Sequence, residues 1–153
     1  MVTAAAFVPV AVTSRSGMDE SVHLGCGAPA HAFSLVGLAR AFAALARAGG
    51  AVPVAMRAHP ELVGGARRDV TDLMRGVPGL MAKDGTEGVF AAALPDGRAV
   101  ALKIGDGASR ARPAVMLAAL ERLGVDTSAA APAMAQHVLG HGAPVGDVRS
   151  LLP

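Results

Sequence analysis

VFAAALPDGRAVALKI, residues 89–104, holds the strongest local signal in the chain. Two apolar runs, 89–95 and 98–104, flank Asp96-Gly97. Asp-Gly between strand-like runs predicts a two-residue type I′ hairpin, since both turn residues of that type need positive φ. Counting outward from this turn sets Ala93 opposite Val100 and Phe90 opposite Lys103. Both runs are apolar on both faces, so the sheet they build is expected to be covered on both sides. Gly105-Asp106-Gly107 closes the second strand.

Upstream, SLVGLARAFAALARA (34–48) carries Leu35, Leu38, Phe42, Leu45 and Ala46 at helical spacing. Ser34 is its N-cap, and Gly49-Gly50 ends it. The segment 52–77 predicts two short helices broken at Gly64-Gly65, with Pro60 in a first turn and Asp69 or Thr71 capping the second. Pro78-Gly79 is a turn. Downstream, Pro113 opens an amphipathic helix that runs to Leu123, with Gly124 beyond its end. The Ala-rich remainder is expected to finish in a helix and then a loop over 140–153. Helices, a hairpin and more helices make an α+β domain: an antiparallel sheet with a central hairpin, covered by helices.

The 153 residues are 52% hydrophobic and 17% charged, the balance of a globular chain. Aromatics are only 3%, with no Trp or Tyr, so the core must be made of Ala, Val, Leu and Met. The net charge is +2, and the arginines are spread along the chain. Nucleic-acid binding would need a clustered basic face with stacking residues, so no nucleic-acid partner is expected. Met1 to Ser14 carry no charge and lack a basic n-region. They are too short to span a bilayer and read as a buried strand or an effect of where the chain begins, with a cleaved signal as the alternative; no membrane association is expected. A single cysteine, Cys26, rules out an internal disulfide and fits a reducing, cytoplasmic location.

Several residues could carry chemistry. Lysine is rare, with Lys83 and Lys103 set against twelve arginines. Lys103 lies in the apolar strand AVALKI on the face of Ala99 and Ala101, opposite to Val100, Leu102 and Ile104. Such a lysine either reaches solvent at a strand end or sits in a pocket, where desolvation would make it a usable base. Lys83-Asp84-Gly85-Thr86-Glu87-Gly88 is a glycine-rich turn that is either an oxyanion-binding backbone or an ordinary connection. Asp69, Asp72, Asp84 and Glu87 could pair as acid and base, but acidic residues at such positions also serve as caps. His23, Cys26 and His31 carry zinc-ligand chemistry at a spacing that matches no closed structural site. Arg57-Ala58-His59-Pro60-Glu61-Leu62 reads as a packed helix entry.

Five stretches occur in the order and at about the spacing of the rhizobial-type L-asparaginases, the asparaginase II family, related in fold to serine β-lactamases and serine-dependent glutaminases. They are Gly25-Cys26-Gly27-Ala28-Pro29 with Phe33 and Leu35; residues 56–63; Ala82-Lys83-Asp84-Gly85-Thr86-Glu87-Gly88-Val89; Ala101-Leu102-Lys103-Ile104 with Asp106-Gly107; and Val145-Gly146. The resemblance covers about 22–149. It implies a division into a divergent segment, 1–21, and the C-terminal part of a β-lactamase/transpeptidase-like domain, 22–153.

The resemblance also implies a hydrolase that converts L-asparagine to L-aspartate and ammonia, using serines and lysines. Lys103 matches the family's second catalytic lysine. Lys83, Gly85, Glu87 and Gly88 fall in the substrate-facing stretch, and Cys26 matches a zinc ligand. The Ser-x-x-Lys helix that carries the nucleophile is not found in this sequence, and Leu24 stands where the family has an aspartate. The chain alone is therefore expected to show little or no turnover, and to work as a homo-oligomer or with a missing N-terminal half. Two other readings stand beside this one: a non-catalytic remnant, and a small zinc-binding module built on His23, Cys26 and His31.

Overall fold

The computed structural model describes Ser21–His23, Pro29–His31 and residues 34–152. Two short strands, β1 (Ser21–His23) and β2 (Pro29–His31), pair antiparallel. Helices α1 (Leu35–Ala48), α2 (Ala51–Ala58), α3 (Pro60–Gly64) and α4 (Asp69–Gly76) follow. Next come strands β3 (Met81–Asp84), β4 (Val89–Ala93) and β5 (Ala99–Lys103). Helices α5 (Arg112–Arg122) and α6 (Ala131–Met134) lead to strands β6 (His137–Gly140) and β7 (Ala143–Asp147). The three-stranded sheet is antiparallel in the order β3-β4-β5, so the expected hairpin supplies its middle strand, β4, and one edge, β5, and is not wholly central. The fold is α+β. The strand expected at Met1 to Ser14 lies outside the described residues.

The hairpin forms, but its register is shifted by one residue from the expected pairing. Ala93 pairs with Ala99, Phe90 with Leu102, and Lys103 with Val89. Proline explains the shift. A two-residue loop would pair Pro95 with Arg98, and Pro95 has no N–H to contribute. The loop instead takes three residues, Pro95-Asp96-Gly97. Gly97 N donates to Leu94 O at 3.0 Å, and Leu94 N donates to Arg98 O at 2.9 Å. Gly97, at φ +93°, absorbs the extra residue, as the left-handed position of a three-residue hairpin loop requires.

The register sorts the sheet into two unlike faces. Ala82, Asp84, Phe90, Ala92, Val100 and Leu102 share one. Met81, Lys83, Val89, Ala91, Ala93, Ala99, Ala101 and Lys103 share the other, where Met81 is the one large side chain that is fully buried. Helix α5 covers the first, where the Arg112 guanidinium stands 5.6 Å from the centre of the Phe90 ring. The large buried side chains Phe90, Leu73, Leu102, Met116 and Leu120 concentrate in this core. Helix α1, which contacts β4 and β5, closes the alanine face with its own buried alanines, Ala39, Ala43 and Ala46. Small residues on both partners let helix and sheet approach closely, though each buries little area.

The flanking helices follow the sequence signals, with local departures. Ser34 caps α1, its hydroxyl accepting from Gly37 N at 3.0 Å, and Gly49 ends the helix in the left-handed region. The segment 52–77 makes three helices, not two. The extra break falls at His59, because Pro60 cannot donate back into α2 and disfavours helical geometry in the residue before it. Neither Asp69 nor Thr71 is the N-cap of α4. That place belongs to Arg68, and the single proton of the buried Thr71 hydroxyl is shared between Gly65 O at 2.7 Å and Pro60 O at 3.1 Å, tying α3 to α4.

The loop expected over 140–153 is in large part the hairpin β6–β7. Its two-residue turn, His141-Gly142, has both residues at positive φ, the geometry expected at Asp96-Gly97. No single helix among the described residues is long and apolar enough to cross a membrane.

The Pro95-Asp96-Gly97 loop carries a direct test. Gly97→Ala forces a side chain into the left-handed region, with its Cβ 2.9 Å from Arg47 Cδ. It is expected to cost about 1–2 kcal/mol, read as a lowered urea midpoint with unchanged m-value.

Candidate substrate cleft

Beyond Asp84 the chain must reverse from β3 into β4 within four residues. Gly85 N donates to Val89 O at 2.9 Å, and Glu87 and Gly88 both take positive φ, +59° and +70°. A Cβ at Gly88 would lie 2.8 Å from Ile104 Cβ and 3.2 Å from the Gly107 carbonyl carbon. Only glycine fits both the conformation and the space. Gly88 O then accepts from Ile104 N at 2.9 Å, which binds the turn to the end of β5. A left-handed Glu87 stores strain of about 1 kcal/mol.

This turn forms one wall of a cleft of about 450 Å³. Gly64 and Arg68 border it from the α3–α4 side, and Gly107, Ser109 and Arg112 from the start of α5. All four residues expected to hold substrate, Lys83, Gly85, Glu87 and Gly88, line it. Lys83 lies on β3, just ahead of the turn. Its Nζ donates to Asp84 O and Asp84 Oδ1, both at 2.8 Å.

Asp84 is the hub of the cleft's charges. Oδ2 accepts from Arg68 Nη2 at 2.7 Å and from Arg112 Nη1 at 3.2 Å. Arg112 donates further to Gly85 O at 3.3 Å, and its Nη2 forks onto Asp69 Oδ1 and Oδ2 at 3.2 and 3.0 Å. The Arg112 side chain is only 5% exposed, Asp69 11% and Asp84 9%. Lys83 and Arg68 are half-exposed, at 49% and 52%, so their remaining donors face solvent at the cleft. Burial pushes the Asp84 carboxyl up. Hydrogen bonds from Lys83 and Arg68, with the charges of Lys83 and Arg112, outweigh it and hold the group at about 2.

Lys103 does not line the cleft. Its half-buried ammonium donates to Ile104 O at 2.9 Å. By register it stands on the same sheet face and at the same end as Lys83, one strand removed. Of the acidic candidates, Asp69 and Asp84 are engaged by Arg112 and are not a free acid–base pair. Pro60 opens α3 as a helix entry and is buried, but Ala58, His59 and Leu62 around it are exposed, so the stretch is not packed throughout; Arg57 Nε donates to Gly79 O at 2.8 Å.

Cys26 lies outside the described residues, and His23 and His31 are placed only as backbone of β1 and β2. Among the described residues no group of three His, Cys, Asp or Glu side chains could hold a metal ion.

Sequence reasoning missed Arg68 and Arg112. Arg112 reads as the opening of a helix at Pro113. Its signal is indirect: a cation at a helix N-terminus is unfavourable unless carboxylates offset it. Asp69 and Asp84 are those carboxylates.

A helix-covered antiparallel sheet, with a glycine-walled cleft at one end where Arg68, Lys83 and Arg112 meet Asp84 and Glu87, defines an α+β protein. The family model for L-asparaginase II matches residues 9–150, and the chain belongs to that family. No curated protein matches it.

The depressed Asp84 group makes a pH-dependent test. The native state binds this proton more weakly than the unfolded chain. The stabilisation is therefore present above the ordinary value of 3.8 and is lost as pH falls toward about 2. With Arg68 and Lys83 partly screened by water, the contribution is roughly 1–2 kcal/mol. Urea unfolding from pH 6 to pH 2 should show this loss, and Asp84→Asn should flatten that part of the profile.

Proposed function

We propose that this chain supplies the substrate cleft of an L-asparaginase-type amide hydrolase, which converts L-asparagine and water to L-aspartate and ammonia. The observation that carries the reading is the convergence of Lys83, Gly85, Glu87 and Gly88 on one cleft beside two further cations, Arg68 and Arg112. A free amino acid presents a carboxylate. The spare donors of Lys83 and Arg68, with the turn backbone, suit that group.

Lys103 would serve as the base that takes a proton from an attacking serine hydroxyl. Its ammonium must first lose its proton and leave the Ile104 carbonyl. The sequence contains no Ser-x-x-Lys, so the serine of that motif would be supplied by a separate segment of polypeptide. Cys26 would add one thiolate to a zinc site completed elsewhere, which gains support only if Cys26→Ala loses bound zinc. The reducing cytoplasm is the compartment that suits a lone thiol.

A partner-dependent chain is the second reading. The strands β6 and β7 expose Val138, Leu139 and Val145, a pattern that favours a homo-oligomer or association with an N-terminal half.

Calorimetry with L-aspartate and L-asparagine tests the cleft. Binding is expected, weakened about tenfold by Lys83→Ala. No binding of either amino acid by the folded chain would remove the hydrolase reading. Ammonia release by the chain alone is expected to stay well under about 1 per second. Turnover at that rate or above would show that the chain needs no added serine segment.

A further inference from the structure

Arg112 reaches the cleft without offering it a free charge. Both of its Nη atoms are spent on Asp69, Asp84 and the Gly85 carbonyl, and its Nε is buried with no partner among the described residues. A buried guanidinium is costly to desolvate and persists only where carboxylates compensate it. Here the compensation comes from two separate elements, Asp69 at the start of α4 and Asp84 at the end of β3. The planar fork fixes the angle between them, which a flexible ammonium cannot do. Asp84 in turn holds Lys83 at 2.8 Å. The Gly85 carbonyl, held by the same guanidinium, begins the turn that ends at the sterically locked Gly88.

We infer that Arg112 is a positioning residue: it acts through Asp84 and the Gly85 carbonyl to hold the Lys83 ammonium and the glycine turn in the arrangement that receives the ligand. This role rests on the reading of the cleft as the substrate site. The chain runs Asp69, Arg112, Asp84, Lys83, so that helix α4 and helix α5 set the direction of a cation on strand β3. Arg68 also binds Asp84, but at the surface and from one side.

The chain's two lysines allow a direct readout. Nitrogen-15 spectra of the full chain at about pH 6 resolve both ammonium signals, and a Lys103→Arg sample assigns them. In Arg112→Met, hydrogen exchange at the Lys83 ammonium is expected to quicken about tenfold, while Lys103, bonded to Ile104 O, stays unchanged. Arg112→Lys keeps the charge and loses the fork, and is expected to behave as Arg112→Met does. Unchanged Lys83 exchange in a folded Arg112→Met, or full rescue by Arg112→Lys, overturns the inference.

If Arg112→Met fails to fold, Asp69→Asn loosens the far anchor alone, with about threefold faster Lys83 exchange expected. No change in that variant overturns the inference equally. L-Aspartate titration separates the two readings. Faster Lys83 exchange together with an unaltered chain that binds no L-aspartate leaves Arg112 as the brace of Lys83 and counts against the hydrolase reading.

Discussion

One buried guanidinium joins three elements at a single point. Arg112 opens α5, lies across the Phe90 ring, forks onto Asp69 of α4 and reaches Asp84 of β3. A hydrophobic contact would tolerate sliding of one helix over the sheet, because apolar attraction has no direction. Charge-assisted hydrogen bonds do have direction, and two carboxylates on separate elements leave the fork little freedom. The cost is a buried charge. It is tolerable because the positive end of α4 supports Asp69 and because Asp84 draws on three cations at once. The cleft exists at this corner because its walls, Gly64 and Arg68 on one side and the 85–88 turn on the other, both follow from that junction.

Much of the fold was legible because it rested on short-range chemistry. Ser34 and Gly49 bound α1, and Pro113 opens α5 from its first turn. The hairpin was visible in its composition. Its register was not, since Asp-Gly suggests a two-residue loop and the veto comes from Pro95, whose missing N–H matters only once pairing is considered. The closing hairpin left little trace in the sequence because its strands are short, rich in Gly and Pro, and exposed.

The cleft was half legible. Lys83 to Gly88 stood out as one contiguous stretch, and it does form a single wall. Arg68 and Arg112 are distant in sequence, lie among many other arginines, and acquire meaning only when α4 and α5 meet β3. Lys103 was conspicuous as a lone cation among alanines. In the fold it shares a sheet face with Lys83, while its ammonium rests on the adjacent Ile104 carbonyl. Periodicity identified the face and said nothing of the side chain's reach.

The alanine seam between α1 and the sheet sets how this chain can diverge. On the Phe90 side, Leu, Met and Phe fill shared volume, and exchanges among them can be absorbed by neighbouring rotamers. On the seam, Ala39, Ala43 and Ala46 of α1 face a side of the sheet that carries Ala91, Ala93, Ala99 and Ala101, which have no rotamers to adjust, and a single flexible buried side chain, Met81. An added carbon out of reach of Met81 must lift the helix from its bed. Descendants of this chain should therefore vary freely in one half of the core and stay nearly frozen in the other.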